Sequence, residues 1–240
     1  MKIIGGGMIA RSFQPYIDDP QLRDVVIFAS GVSDSATTAP EAYIREQTLL
    51  FDTLRACEDS GQRLVYFSSG GAIYGPRNAT RTETSPTYPT TDYGRQQLLC
   101  EGAIINSGVP YLIIRSPNLV GPNQRGAQLI PTLVHQAMNG HARLFTRATR
   151  DLLDVDDSAR LVVGLLHNHV AGEIVTVASG RSLPIDQIFT EICAILSITP
   201  ETERIDKGDT QQFDISKLRY LLGDTLDVDA LIGEDYLKRI

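Results

Sequence analysis

The chain has no apolar run near the roughly 20 residues that a bilayer-spanning helix needs, so no membrane span is expected. Its first residues, MKIIGGG, are too short and too glycine-rich for a secretory leader. Lysine and arginine form no cluster and the net charge is -7, which argues against a nucleic-acid partner. Cysteine is scarce: Cys57, Cys100 and Cys193 are odd in number and lack metal-site spacing, so reduced thiols in a cytoplasmic protein are expected. His167 and His169 form one H-x-H with no second pair of ligands, which reads as a solvated helix end and gives no metal site. There is no internal repeat and no low-complexity segment. What is present is the composition of a soluble globular protein, 42% hydrophobic and 21% charged. At 240 residues it is one large domain, or a domain with a small lobe.

Strand-like and helix-like segments alternate, the pattern of a parallel sheet wrapped by helices. Lys2 to Ile4 is a short strand, and Gly5-Gly6-Gly7 turns into a helix from Met8 to near Asp18. Val25 to Ser30 is a buried strand, Pro40 to Ser60 a long helix stopped by Gly61, and Leu64 to Phe67 the next strand. Pro76 to Asp92 is a loop rich in proline and threonine, followed by a helix from Tyr93 to Ser107 and a strand from Tyr111 to Arg115. Beyond Pro117 the segments shorten. Helices are expected over Ile130–Asn139, Ser158–His167, Pro184–Leu196, Asp214–Leu222 and Val228–Arg239, with a strand over Glu173–Ala178.

Five motifs carry the chemistry. Gly5-x-Gly7-x-x-Ala10 follows a strand and opens a helix, the context in which backbone approaches a pyrophosphate. Ser68-Ser69-Gly70-Gly71-Ala72-Ile73-Tyr74-Gly75 ends a strand. Tyr93-Gly94-Arg95-Gln96-Gln97 opens a helix, and RSPNLVGPNQR and RDLLDVDD follow. In this order the five resemble the extended short-chain dehydrogenase/reductase family, in its NAD-dependent epimerase/dehydratase branch acting on nucleotide sugars. The resemblance runs from Ile3 to about Gly223.

It implies a Rossmann-like α/β fold, a parallel sheet with helices on both faces, plus a small C-terminal α+β lobe. Residues 1–116, with 151–180 returning, would form the cofactor half, and 117–240 mainly the substrate lobe. For NADP or NAD, the implied contacts are Gly5, Gly7, Met8, Ile9, Arg11, Ala29, Ser30, Gly31, Ser68, Tyr93 and Gln97. Arg11, placed in the first helical turn where the dipole disfavours a cation, answers either an anionic ligand, which tilts the choice to NADP, or solvent alone. For a nucleotide-diphosphate sugar they are Gly70, Gly71, Asn118, Gln124, Arg125 and Arg150, the arginine facing the diphosphate. A local Arg150–Asp151 ion pair is the plain alternative. Relatives commonly dimerise through two long helices, here Pro40–Ser60 and Tyr93–Ser107, and the resemblance implies polysaccharide biosynthesis.

The chain departs from the family at three places. Only Arg11 to Asp24, fourteen residues, separate Ala10 from the second strand, too few for the strand–helix–strand unit that cradles adenosine. The strand-end position that normally holds a catalytic serine or threonine is Gly70. Ser69 is adjacent, but neighbours on an extended chain point to opposite sides, and Thr90 and Thr91 are further candidates. The lysine that lowers the catalytic tyrosine's pKa is Gln97, leaving catalysis to Tyr93, Gln97 and Ser69. An unassisted tyrosine, pKa about 10, is ionised in roughly one molecule in a thousand at pH 7. It is a poor base for oxidising a sugar alcohol, but already the neutral acid that ketone reduction requires. The expected activity is NAD(P)H-dependent reduction of a keto-deoxy nucleotide sugar, 4-keto before 3-keto. The alternatives are a binding protein of the same fold without redox chemistry, or an epimerase/isomerase.

Overall fold

The computed structural model describes residues 1–32, 37, 39–76, 79–124, 128–232 and 237. Five strands form one parallel sheet: β1 (Lys2–Ile4), β2 (Val25–Phe28), β3 (Arg63–Ser69), β4 (Tyr111–Ser116) and β5 (Glu173–Thr176). They lie side by side in chain order, with Ile3 opposite Ile27, Val65 opposite Leu112 and Val175 opposite Ile114. β2, VVIF, is buried along its whole length, as a parallel strand covered on both faces must be.

Side chains alternate between two cores. Val25, Ile27, Val65, Leu112, Ile114 and Val175 meet α1 (Met8–Ser12) with Phe13 beyond it, α5 (Val155–His167) and α7 (Ser216–Leu222). Val26, Phe28, Leu64, Tyr66 and Ile113 face α2 (Pro40–Ser60) and α3 (Asp92–Ile105). The expected parallel sheet with helices on both faces is what the chain forms. α1 and α2 join strands stepping the same way across the sheet, yet they pack on opposite faces. Their two crossovers are therefore of opposite hand, although such connections are right-handed in about 98% of cases.

The ends of α2 follow from local chemistry. Pro40 needs no donor at the first helical position, and Gly61, at φ 65°, turns out of the helix with its N–H on the Cys57 and Glu58 carbonyls. α1 differs from expectation, ending at Ser12 and not near Asp18. Pro15 removes a backbone donor and disfavours α geometry at Gln14, so the chain continues as short 3-10 turns over Gln14–Tyr16 and Pro20–Leu22. No strand is found between β1 and β2 among the described residues.

The C-terminal half has a third core, where α4 (Leu129–Met138) and α6 (Ile185–Leu196) enclose Val120, Ala142, Leu144 and Leu152. A parallel ladder of His141–Phe145 with Glu201–Ile205 borders it, unforeseen because Glu201–Ile205 is mostly exposed and carries no apolar face. The expected final helix is short, Val228–Leu231, with much of the rest outside the described residues. His167 ends α5 bonded to Asp19 at 2.9 Å rather than merely solvated.

Two buried charges tie these layers together. Arg115 of β4 donates to both carboxylate oxygens of Glu101 on α3, at 3.1 and 2.7 Å. It also donates to the Tyr74 hydroxyl and the Glu83 carbonyl, both at 2.9 Å. In the C-terminal half, Asp151 is fully buried and its Oδ1 accepts from the N–H and hydroxyl of Ser179, at 3.0 and 2.8 Å. Desolvation outweighs those bonds and pushes its carboxyl up to about 7.

Replacing Glu101 with alanine leaves the Arg115 guanidinium buried without its counter-charge. Urea unfolding should show a loss of about 3–5 kcal/mol. For Asp151 the folded state holds its proton to higher pH than the unfolded chain, whose carboxyl titrates near 3.8. Its contribution is therefore full below that value and lost as pH rises to about 7. Wild-type urea midpoints should fall across this window relative to Asp151→Asn, which has no proton to lose, and run parallel to it above.

Candidate functional site

A cleft of about 1060 Å³ opens at the C-terminal ends of β1 to β4, where ligands of open α/β sheets bind. One wall is the Gly5–Ile9 turn. Gly5, at φ 128°, has no room for a side chain, since a Cβ would lie 2.3 Å from the Ala29 carbonyl oxygen. A Cβ on Gly6 or Gly7 would meet nothing within 4 Å, so both leave backbone bare towards the cleft. Met8, Ile9, Ala29, Ser30, Gly31 and Ser68 also line it, as the resemblance implies. Arg11 does not. Because α1 is only five residues long, Arg11 falls in its last turn, where the dipole favours a cation, and the argument for an anion beside it fails.

Tyr93 and Gln97 of α3 form the floor. Thr91 caps the helix by accepting the Gly94 N–H at 3.1 Å, and both Thr90 and Thr91 line the cleft. Gly94 allows the close approach: a Cβ there would lie 2.4 Å from the Ala72 carbonyl oxygen. Ser69, not position 70, is turned towards the tyrosine. Its hydroxyl accepts the Ala72 N–H at 3.1 Å and hydrogen-bonds the Tyr93 hydroxyl. The simple alternation of an extended strand does not apply, because β3 ends at Ser69 and the chain turns there. Gly70 faces away from the cleft, where a Cβ would lie 3.0 Å from both the Phe213 ring and the Ser116 carbonyl oxygen.

Desolvation, reinforced by the nearby Glu46 carboxylate, pushes the Tyr93 hydroxyl well above its usual pKa, and the Ser69 bond offsets this only in part. No lysine or arginine is among the causes of the shift. The Gln97 Oε1 lies 3.1 Å from the Tyr66 hydroxyl behind it. At neutral pH the floor of the cleft therefore presents a protonated phenol, a serine hydroxyl and an amide.

Asn118, Gln124, Arg150 and Gly71 form the far wall. Arg125 lies outside the described residues. Arg150 pairs with Asp209 rather than its neighbour Asp151, whose carboxylate is turned to Ser179. It donates to Asp209 Oδ1 at 3.1 Å and to the Asp209 carbonyl at 3.0 Å. Asn118 donates to Gln211 Oε1 at 3.1 Å, and a Cβ on Gly71 would lie 2.9 Å from Gln211 Nε2. Asp209 and Gln211 were not foreseen, since they belong to no motif. The bridge between Thr149 and Thr210 and the pairing of Gln212–Phe213 with Thr80–Arg81 bring them here across long stretches of chain.

Comparison with known proteins agrees with this architecture. The solved structure of RMD from Pseudomonas aeruginosa complexed with NADPH superposes with a TM-score of 0.74 at 20% identity, covering 96% of each chain. UDP-N-acetylglucosamine 4-epimerase from Methanobrevibacter ruminantium superposes at 0.72 with 22% identity, over 87% of this chain and 73% of that one. In sequence, the chain is 26% identical over 184 residues to a trifunctional UDP-glucose 4,6-dehydratase/UDP-4-keto-6-deoxy-D-glucose 3,5-epimerase/UDP-4-keto-L-rhamnose-reductase of Arabidopsis thaliana. That match covers 71% of this chain and 27% of the plant protein. A UDP-glucose 4-epimerase of Lactobacillus helveticus is 26% identical over 141 residues, 52% of this chain and 43% of the epimerase. The matched stretches thus span less than half the length of these curated relatives. The model of one family matches residues 8–178, which takes in β2 to β5 and leaves out β1 and Gly5–Gly7, and by that match the chain belongs to the NAD dependent epimerase/dehydratase family.

Proposed function

We propose that the chain is an NAD(P)H-dependent reductase of a keto-deoxy nucleotide sugar, 4-keto before 3-keto, with Tyr93 as proton donor. The observation that carries this is the Tyr93 hydroxyl, held neutral in the cleft and bonded to Ser69. The bare backbone of Gly6 and Gly7 and the strand ends at Ala29 to Gly31 fit a dinucleotide pyrophosphate, and Gln97 fits a ribose hydroxyl. A reduced nicotinamide would supply the hydride. Ser69 then polarises the sugar carbonyl, and Tyr93 hands its proton to the oxygen as negative charge develops there. Solvent restores the tyrosine proton.

Asn118, Gln124, Arg125 and Arg150 would hold the nucleotide-diphosphate sugar, with the diphosphate replacing Asp209 on the Arg150 guanidinium. Residues 1–116 with 151–180 serve as the cofactor half and 117–240 mainly as the substrate lobe. The preference for NADPH rested on Arg11 and loses that support, so NADPH and NADH stand as equal candidates. A cytoplasmic setting in polysaccharide biosynthesis accords with such a substrate. A non-redox binding protein is the rival reading, favoured by Gln97 and Gly70 at the family's catalytic positions; it requires ligand binding without turnover. Epimerase or isomerase chemistry is less well served, because Tyr93 is too weak a base.

Nicotinamide absorbance followed with a UDP- or dTDP-4-keto-6-deoxy sugar tests the proposal. Turnover is expected, with a drop of about a hundredfold or more in Tyr93→Phe. Undiminished turnover in that variant would remove Tyr93 from the mechanism, and no turnover by the wild type, with binding retained, would favour the rival.

We also propose a homodimer through α2 and α3, whose Ile44, Phe51 and Leu99 side chains are 60%, 44% and 51% exposed. Light scattering should give twice the 26.3 kDa chain mass, and Phe51→Arg combined with Leu99→Arg should return it to one. A wild-type monomer at micromolar concentration would refute the dimer.

A further inference from the structure

Behind Gln97 lies a polar cluster that the proposed chemistry does not use. Glu46 of α2 is fully buried. Its Oε2 accepts the Val32 N–H at 3.3 Å, and its Oε1 lies 3.1 Å from the Tyr66 hydroxyl. That same hydroxyl lies 3.1 Å from Gln97 Oε1. A phenol has one proton and cannot donate to two acceptors at once. The geometry therefore admits two arrangements. If Glu46 is protonated, it donates to Tyr66, which donates to Gln97 Oε1, and the Gln97 NH2 is left for the cleft. If Glu46 is ionised, Tyr66 donates to it, the Gln97 amide turns over to donate to Tyr66, and Gln97 Oε1 is left for the cleft.

We propose that Glu46 is a positioning residue whose proton, relayed through Tyr66, sets which end of the Gln97 amide faces the cleft. The role rests on the cofactor reading above, because a ribose hydroxyl is the group that Gln97 would meet. The protonated arrangement presents a donor, as lysine does in relatives; the ionised one presents an acceptor. Burial raises the Glu46 carboxyl above its ordinary value, opposed by the Val32, Tyr66 and Gln96 hydrogen bonds and by the charge of Arg45 on its own helix. From α3, Tyr93 and Cys100 also feel its charge. The protonated form is therefore favoured further up the pH scale than for an exposed glutamate. Tyr66, itself 1% exposed and desolvated, keeps its proton throughout.

The Gln97 side-chain amide, followed by nitrogen NMR from about pH 5 to 9, tests the relay with no cofactor present. The wild-type signal should titrate once. In Glu46→Gln, which mimics the protonated acid, it should stay at the low-pH position, and in Tyr66→Phe, which cuts the relay, it should not titrate. A wild-type signal that does not move, or one that moves equally in both variants, would overturn the proposal. In fluorescence titrations with NADPH and NADH, wild-type affinity should weaken about fivefold as Glu46 ionises, the factor carried by one neutral hydrogen bond, and that of Glu46→Gln should stay level. A wild-type affinity that stays level while the amide titrates would overturn the link to the cofactor. Absence of binding at every pH would sink the cofactor reading alone, and the amide titration would still decide the relay.

Discussion

The Arg115 guanidinium is the contact on which the placement of the cleft depends. From the last residue but one of β4 it reaches the Glu101 carboxylate on α3, the Tyr74 hydroxyl and the Glu83 carbonyl. Glu83 continues the chain of contacts, its carboxylate accepting the Thr176 N–H of β5 at 2.7 Å. One side chain thus registers two strands, the helix that carries Tyr93 and Gln97, and the loop that returns from the Ser69 turn. A bidentate pair between a strand and a helix fixes angle as well as distance, which an apolar contact of the same area would not. The desolvation of both ions is offset because each guanidinium nitrogen is hydrogen-bonded and the Tyr74 ring centroid lies 5.4 Å from the guanidinium carbon.

Against this rigid frame the cleft floor is electrically quiet. Among the described residues, the cations that line the cleft are Arg45, turned to the Ser30 carbonyl at 3.1 Å, and Arg150, turned to Asp209. With neither among the groups that act on the Tyr93 hydroxyl, no cation opposes the desolvation that holds the phenol's proton. The same arrangement means that an arriving anion at Arg150 must compete with a carboxylate already there.

The sheet was legible because its evidence is local. Val25–Phe28 is an uninterrupted apolar run, and Pro40 and Gly61 mark the two ends of α2 in the sequence itself. The first helix stops short of its expected end because Pro15 removes a backbone donor and disfavours α geometry at Gln14. The site divides the same way. The glycine turn, Tyr93, Gln97, Asn118 and Arg150 are recognisable from motifs, and the fold gathers them in one cleft. Ser69 facing Tyr93 depends on a turn angle, and Asp209 and Gln211 depend on strand pairing across about 60 residues. Neither leaves a mark on local composition.

The space beside Gly70 is filled by the ring of Phe213, more than a hundred positions along the chain. A side chain at 70 would press on that ring and on the Ser116 carbonyl oxygen, and the second is backbone that no substitution can trim. At this end of β3 a hydroxyl therefore has room at Ser69 and none at position 70.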